Sequence, residues 1–215
     1  MHGSQSPALL MTYFENYLRN QKIDVFRSRV VSRYNQGTLS RLIIIGNRRL
    51  RRAAVLALGL IGGFEVNAVV ARALRDIDKT VRELAANALW AIWFRADSPK
   101  NNAILEEIHD LNNRRRFQDA EALGTCLIDR APEFAEARNQ RAIARFGQDR
   151  LAESAEDCRR ALELNPYHFG ALGGLAQCQL RLGQKDEALK SFQKALKLQP
   201  YHQGIRRAIA VLESE

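Results

Sequence analysis

The sequence predicts an all-α protein, a solenoid of stacked helical hairpins, and three observations predict it. Ala, Leu, Arg and Glu abound, while 215 residues hold only 5 Pro and 13 Gly, a mixture that favours helix nearly throughout. The phrase ALELNPYHFG at 161–170 returns as ALKLQPYHQG at 195–204, one frame (A-L-x-L-x-P-Y-H-x-G) written twice 34 residues apart. Upstream, LRRAAVLALGLI at 50–61 returns as VRELAANALWAI at 81–92, an offset of 31. A helical unit repeated at a fixed period implies that each copy buries its neighbour in the same way. About 11 to 13 helices and no sheet are expected on that reading.

The opening MHGSQS is set aside from the fold reading. Residues 8–36 give two helices, ALLMTYFENYLRN and KIDVFRSRVVSRY. Leu10, Phe14, Tyr17 and Leu18 form one apolar stripe, and Val25, Val30 and Tyr34 continue it. Such helices would cap the open end of a solenoid, which otherwise exposes an apolar face. Two hairpins follow. TLSRLIII precedes the 50–61 block, and VNAVVARALR precedes the 81–92 block, with turns at Gly46–Asn47 and Asp76–Asp78. Between the blocks, Leu50 corresponds to Val81, Arg51 to Arg82, Ala54 to Ala85, Ala57 to Ala88, Leu58 to Leu89 and Ile61 to Ile92. This pattern resembles a pair of compact HEAT-type repeats of the bilin-lyase-like kind over residues 38–97. The resemblance implies a fold and carries no lyase reaction with it. A polar stretch with Pro99, Ala96–Asn102, marks a boundary after the apolar WAIWF. The expected domains are therefore 8–97 and 101–215.

In the second half Pro132, Pro166 and Pro200 stand in register. Within 169–202, Ala176, Ala188 and Ala195 are small where helices must approach, and Leu172, Leu175, Leu189, Phe192 and Leu196 supply the apolar stripe. Gly183 signals the end of one helix, the next begins near Lys185 or Asp186, and Pro200 stops it. This unit resembles the tetratricopeptide repeat over its full length. Unit 135–168 matches through Ala142, Ser154, Ala161 and Pro166, and departs at Arg141, where the family has leucine, and at Cys158, where it has an aromatic. Unit 101–134 fits at Phe117, Ala120 and Pro132 but not at Glu107, Ile108 and Gly124. Residues 203–214 read as a capping helix, with Ile205, Ile209 and Leu212 inward and Arg206, Arg207 and Glu213 outward. Tyr167, His168, Tyr201 and His202 read as turn residues after a helix-stopping proline.

The resemblance implies a right-handed superhelix whose groove, lined by the first helix of each hairpin, takes an extended peptide or a partner helix. The family's groove positions fall on Leu105, His109 and Asn112 in the first unit and on Asn139, Ile143 and Phe146 in the second. They fall on Gly173, Gln177 and Leu180 in the third and on Arg207 in the capping helix. Members that clamp a C-terminal carboxylate use a Lys and Asn pair. Leu105 and His109 stand in those places here, which argues against that mode. Gly173–Gly174 in mid-helix allow either close approach of a ligand backbone or tight helix packing. A non-enzymatic scaffold or adaptor that binds a protein or peptide is the expectation.

The alternative lies in the charge. The net charge is +9. Residues 1–100 hold 16 Lys and Arg against 7 Asp and Glu, whereas residues 101–215 hold 17 of each. Arg48, Arg49, Arg51 and Arg52 cluster, with Arg72, Arg75 and Arg82 in the neighbouring repeat. That patch could meet nucleic acid or an acidic protein, although few aromatics interleave for stacking on single strands.

Catalytic signatures are missing. The chain has no G-x-x-x-x-G-K-[ST], no G-x-G-x-x-G and no G-x-S-x-G. Its four histidines have no carboxylate or nucleophile in a readable motif, and Cys126, Cys158 and Cys178 form no metal spacing. No catalytic residue, metal or cofactor is expected. The cysteines suit a reducing cytoplasm. No apolar run is long enough to insert in a membrane, and the start lacks the basic and apolar parts of a secretory signal. Homo-oligomerisation is left open.

Overall fold

The structure, a computed structural model, describes residues 6–214, so the opening MHGSQ lies outside the described residues. Thirteen α-helices and no strand are present among the described residues. The chain divides into two compact units between Ile92 and Trp93. No described helix is long and apolar enough to cross a membrane.

The first unit comprises α1 (Pro7–Asn20), α2 (Ile23–Val31), α3 (Gln36–Ile45), α4 (Arg48–Ile61), α5 (Asn67–Arg72) and most of α6 (Lys79–Phe94). Proline at the first position starts α1, where its missing N–H has no role, and Gln21 ends it at φ 55 with its N–H on the Tyr17 carbonyl. Leu10 and Phe14 turn inward, and Phe14 meets Phe26 edge-on at 6.3 Å. The expected stripe is corrected in two places. Leu18 and Val25 are exposed, and Phe26 is buried in place of Val25. Phe26 and Val30 are four apart and share the buried face of α2, whereas Val25 is one residue, about 100°, off it. α1 and α2 pack on α4, and α3 packs on α4 and α5.

The segment expected as one helix over VNAVVARALR is α-helical only over α5, with 3-10 turns at Phe64–Val66 and Ala73–Arg75 tightening both ends. Asn47 caps α4 by accepting from the Leu50 amide at 3.0 Å, and Asp78 accepts from the Val81 amide at 3.0 Å, near the start of α6. Gly59 lets α4 and α6 approach closely, since a Cβ there would lie 2.9 Å from the Ala88 methyl.

The second unit stacks α7 (Pro99–Asn113), α8 (Phe117–Arg130), α9 (Ala135–Gly147), α10 (Leu151–Leu164), α11 (Phe169–Arg181), α12 (Lys185–Leu198) and α13 (Gln203–Ser214), each on the next. Ala120, Ser154 and Ala188 hold one position 34 residues apart, and all three are buried where hairpins meet. Arg115, Asp149 and Gly183 hold another, and each turns the chain with positive φ (59, 63 and 76) between the two helices of its hairpin. Only the third copy places there the glycine that such a φ favours. On α13, Ile209 is buried, with Ile205 and Leu212 packed beside it.

The departures at Gly124 and Arg141 explain each other. Arg141 forms a two-pronged pair with the buried Asp157, at 2.9 and 2.7 Å. A Cβ on Gly124 would press on the Arg141 Cβ at 3.3 Å, so the missing side chain makes room for the arginine. Arg145 also bonds Asp157, at 2.9 Å. One repeat later the equivalent pair is neutral, with the Ser191 hydroxyl donating to Gln179 at 2.7 Å.

The Ala96–Asn102 stretch is structured rather than slack. Asp97 accepts from the Ser98 amide (2.7 Å) and the Asn101 side chain (2.6 Å), and Ser98 caps α7. The division falls ahead of this stretch because Trp93 and Phe94 pack within the second unit. Trp93 stacks on His168 with ring centroids 4.2 Å apart and lies tilted to Phe169 at 5.1 Å, and Phe94 meets His109 edge-on at 5.2 Å.

Candidate partner-binding surface

Three rows of side chains cross the first helices of the hairpins, 34 residues apart. The row Leu105, Asn139, Gly173, Arg207 is closed at one end and open at the other. Leu105 and Asn139 are buried, a Cβ on Gly173 would meet nothing within 4 Å beyond its chain neighbours and its own helix backbone, and Arg207 is exposed. In the second row His109 is half-buried against Phe94, whereas Ile143 (42% exposed) and Gln177 are open. In the third, Asn112 is buried, Phe146 is half-buried, and Leu180 is 36% exposed. The accessible surface is therefore Ile143, Gly173, Gln177, Leu180 and Arg207, on α9, α11 and α13.

Leu105 and Asn139 leave the accessible set. Leu105 belongs to the apolar core between α7, α8 and α9, and Asn139 donates to Glu136 at 3.0 Å. Phe146 packs on the core of Ala142, Leu175 and Cys178 and lies beneath the Arg181 guanidinium, 5.0 Å from its ring centroid. Arg181 is held there by Asp149 at 2.7 Å. Gly173 and Gly174 divide the two readings of the glycine pair. A Cβ on Gly174 would stand 3.2 Å from the Cys158 sulfur, so this glycine serves helix packing, whereas Gly173 faces open space.

A buried polar cluster lies beside this surface. Glu136 accepts from Asn139 and from Gln140 at 2.7 Å through one carboxylate oxygen, and meets His168 Nε2 at 2.7 Å through the other. His168 Nδ1 accepts the Ala171 amide at 3.0 Å, capping α11, so Nε2 carries the proton and donates to Glu136. Asn112 donates to the Gln140 side chain at 3.0 Å. Sequence reasoning placed His168 as a turn residue and did not see Glu136 or Trp93. The only sequence signal was that the apolar WAIWF runs up to the boundary. The members of the cluster bond to one another and all are buried, as in a structural core, and the Asn112 Oδ1 is the one of their buried side-chain N and O atoms that has no hydrogen-bond partner among the described residues.

The basic patch of the first unit is divided. Arg51 pairs through two bonds with Asp76 (2.6 and 2.9 Å), and Arg52 likewise with Asp78 (2.8 and 2.6 Å). Hydrogen bonds from Arg52, opposed by burial, hold the Asp78 carboxyl down at about 2. At Asp76, burial pushes the carboxyl up, but bonds from Arg51 and the Asp78 amide outweigh it and the net shift is downward. Arg82 donates to the carbonyls of Asp76 (2.8 Å) and Ile77 (3.0 Å). Arg49 lies 4.0 Å from Glu15 with both side chains largely in solvent. Arg48, Arg72 and Arg75 are exposed. Arg51, Arg52 and Arg82 are thus held in internal bonds, and the seven arginines do not form a continuous free stripe.

Among the described residues no three His, Cys, Asp or Glu gather as a metal site. Burial pushes the Cys158 and Cys178 thiols up, while Cys126 is exposed.

Comparison with known proteins matches residues 105–169 and again residues 170–202 to the tetratricopeptide repeat. These hairpins are tetratricopeptide repeats. The chain is similar to a TPR repeat-containing protein of Rhizobium etli, 28% identical over 119 residues, which are 55% of this chain and 57% of that protein. The chain thus spans little more than half the length of that relative. Among solved structures, the first TPR domain of Spaghetti (RPAP3) bound to the HSP90 peptide SRMEEVD is similar at TM-score 0.53 and 22% identity, covering 55% of this chain and 94% of that one. The TPR2AB domain of yeast Sti1 in complex with pHSP90 is similar at TM-score 0.51 and 17% identity, covering 95% of this chain and 90% of the other. At these identities the likeness is one of fold.

Proposed function

We propose that this protein is a non-enzymatic scaffold whose tetratricopeptide repeats hold a segment of a partner protein across α9, α11 and α13. The observation that carries the reading is the open strip itself. Ile143 and Leu180 are apolar and exposed on first helices of successive repeats, with Gln177 beside them in the row of Ile143 and Gly173 and Arg207 in the adjoining row. Apolar anchors beside an amide and an uncovered stretch of helix suit a peptide whose backbone comes close. The Spaghetti and Sti1 structures, each holding an HSP90 partner, support the class of function. The mode differs. With Leu105 buried and His109 against Phe94, no Lys and Asn pair is available to clamp a terminal carboxylate, so the partner is held through internal apolar side chains.

The test is Ile143→Glu with Leu180→Glu in the full chain, read by cross-linking and mass spectrometry from native cells. Both side chains lie at the surface, so the helical spectrum should persist while the captured partner is lost. A variant that stays folded and keeps its partners refutes the reading.

Residues 38–97 are, in the same reading, two compact HEAT-like repeats. The support is a repeated bond. Arg51 donates to the Gly46 carbonyl at 3.0 Å and Arg82 to the Ile77 carbonyl at 3.0 Å, five residues back in each case. Three free cysteines, two of them buried, fit a reducing cytoplasm.

A further inference from the structure

The first unit presents a cleft of about 360 Å³ between α3, α5 and the turn before α6, lined by Ile43, Ile44, Val69, Arg72, Arg75 and Ile77 among others. Its two halves differ in chemistry. Ile44 is 54% exposed and Ile77 84% exposed, and the two large aliphatic side chains line the same cleft. Arg72 and Arg75 are exposed on the same cleft, and neither has an acidic partner among the described residues.

Ile77 is not exposed because its turn is loose. Its neighbours Asp76 and Asp78 are gripped by Arg51 and Arg52 through two bonds each. The Asp76 side chain accepts the Asp78 amide at 2.8 Å, and the Ile77 carbonyl takes a bond from Arg82. Three arginines thus fix a three-residue turn that points an isoleucine into water. A turn whose backbone is held in place before binding loses little freedom on contact. Arg51 also cancels the charge of Asp76 in the cleft, which leaves Arg72 and Arg75 as its free charge.

We propose that this cleft is a second docking surface, independent of the repeat groove, for an acidic protein segment in which Asp or Glu alternates with aliphatic residues. The aliphatic residues would rest on Ile44 and Ile77 and the carboxylates would meet Arg72 and Arg75. Charge complementarity selects the partner, because the chain's whole positive excess lies in residues 1–100. A phosphate backbone fits less well. It needs a row of unpaired cations, and here Arg51, Arg52 and Arg82 are already bonded while isoleucines separate the remainder.

The experiment uses the full chain and three fluorescein-labelled probes in anisotropy titrations. One is a synthetic peptide of about a dozen residues alternating leucine with glutamate, the second replaces its leucines with serine, and the third is oligo-dT of similar charge. The leucine–glutamate peptide should bind, and binding should weaken as salt rises. Arg72→Glu with Arg75→Glu should weaken it at least about tenfold, and Ile77→Ser should weaken it about fivefold. The serine peptide should bind about tenfold more weakly than the leucine peptide. Ile143→Glu, on the other surface, should change nothing. The proposal is overturned if the leucine–glutamate peptide fails to bind. It is equally overturned if oligo-dT or the serine peptide binds as tightly, or if the charge-reversed protein, folded by circular dichroism, binds unchanged.

Discussion

His168 and His202 occupy the same place in the doubled phrase and cap α11 and α13 in the same way, yet their removal should have unequal effects. Each Nδ1 accepts a backbone amide three residues on, at 3.0 Å from Ala171 and 3.2 Å from Ile205. His202 is exposed, and its side chain makes no other bond among the described residues. Its replacement by alanine removes a cap, at about 1 kcal/mol or less. His168→Ala removes a cap too, again about 1 kcal/mol. It also removes the stack on Trp93, worth about 1 kcal/mol beyond burial. Finally it strips the donor from one oxygen of the buried Glu136 carboxylate, about 1–3 kcal/mol or more for a charged acceptor. The sum is about 4 kcal/mol, so the two alanine variants should differ by about 3 kcal/mol. Urea unfolding followed by circular dichroism on both variants measures that difference directly. His168→Asn, which restores a cap acceptor but not the ring, should recover only about 1 kcal/mol. A difference between His168→Ala and His202→Ala below about 1 kcal/mol would refute the reasoning, because it would mean that neither the stack nor the bond to Glu136 stabilises the fold.

Gly173→Ala should stabilise by up to about 1 kcal/mol, as helix propensity gains with nothing to clash. Gly59→Ala should instead destabilise by about 1–3 kcal/mol through overpacking on Ala88, and thermal melts of the pair compare the two. Arg141→Leu, the change toward the family's usual residue, should destabilise by about 2 kcal/mol in the same assay, less than for a fully unpaired buried charge because Arg145 stays on Asp157. Asp78 has a lowered pKa, so its contribution is complete above its ordinary value of 3.8 and is lost as pH falls through about 2. Asp78→Asn keeps a cap acceptor but loses the charge, and should flatten that acid segment of the stability curve by about 1 kcal/mol. Titration of the native protein with a thiol reagent should show one fast cysteine, Cys126, and two protected until unfolding.

The periodicity alone determined the helices of the second unit, because each hairpin must bury the same face and so rewrites Ala, Leu and Pro at fixed spacing. Pro132, Pro166 and Pro200, the small residues at Ala120, Ser154 and Ala188, and the inward face of α13 were all legible for that reason. The turn at Arg115, Asp149 and Gly183 was legible only in its third copy, since a glycine signals positive φ and an arginine or aspartate does not. Tertiary structure decided which groove positions stay open. Leu105, Asn139, Gly173 and Arg207 are equivalent by spacing, but burial depends on neighbours, and the first two are covered while the last two are not. It also decided the fate of the arginines. Charge is additive in a sequence, whereas its availability depends on partners, and Asp76 and Asp78 lie 25 and 26 residues from the Arg51 and Arg52 that they hold. No local pattern carries a pairing at that distance. The same pairing fixes the turn on which Ile77 stands in water.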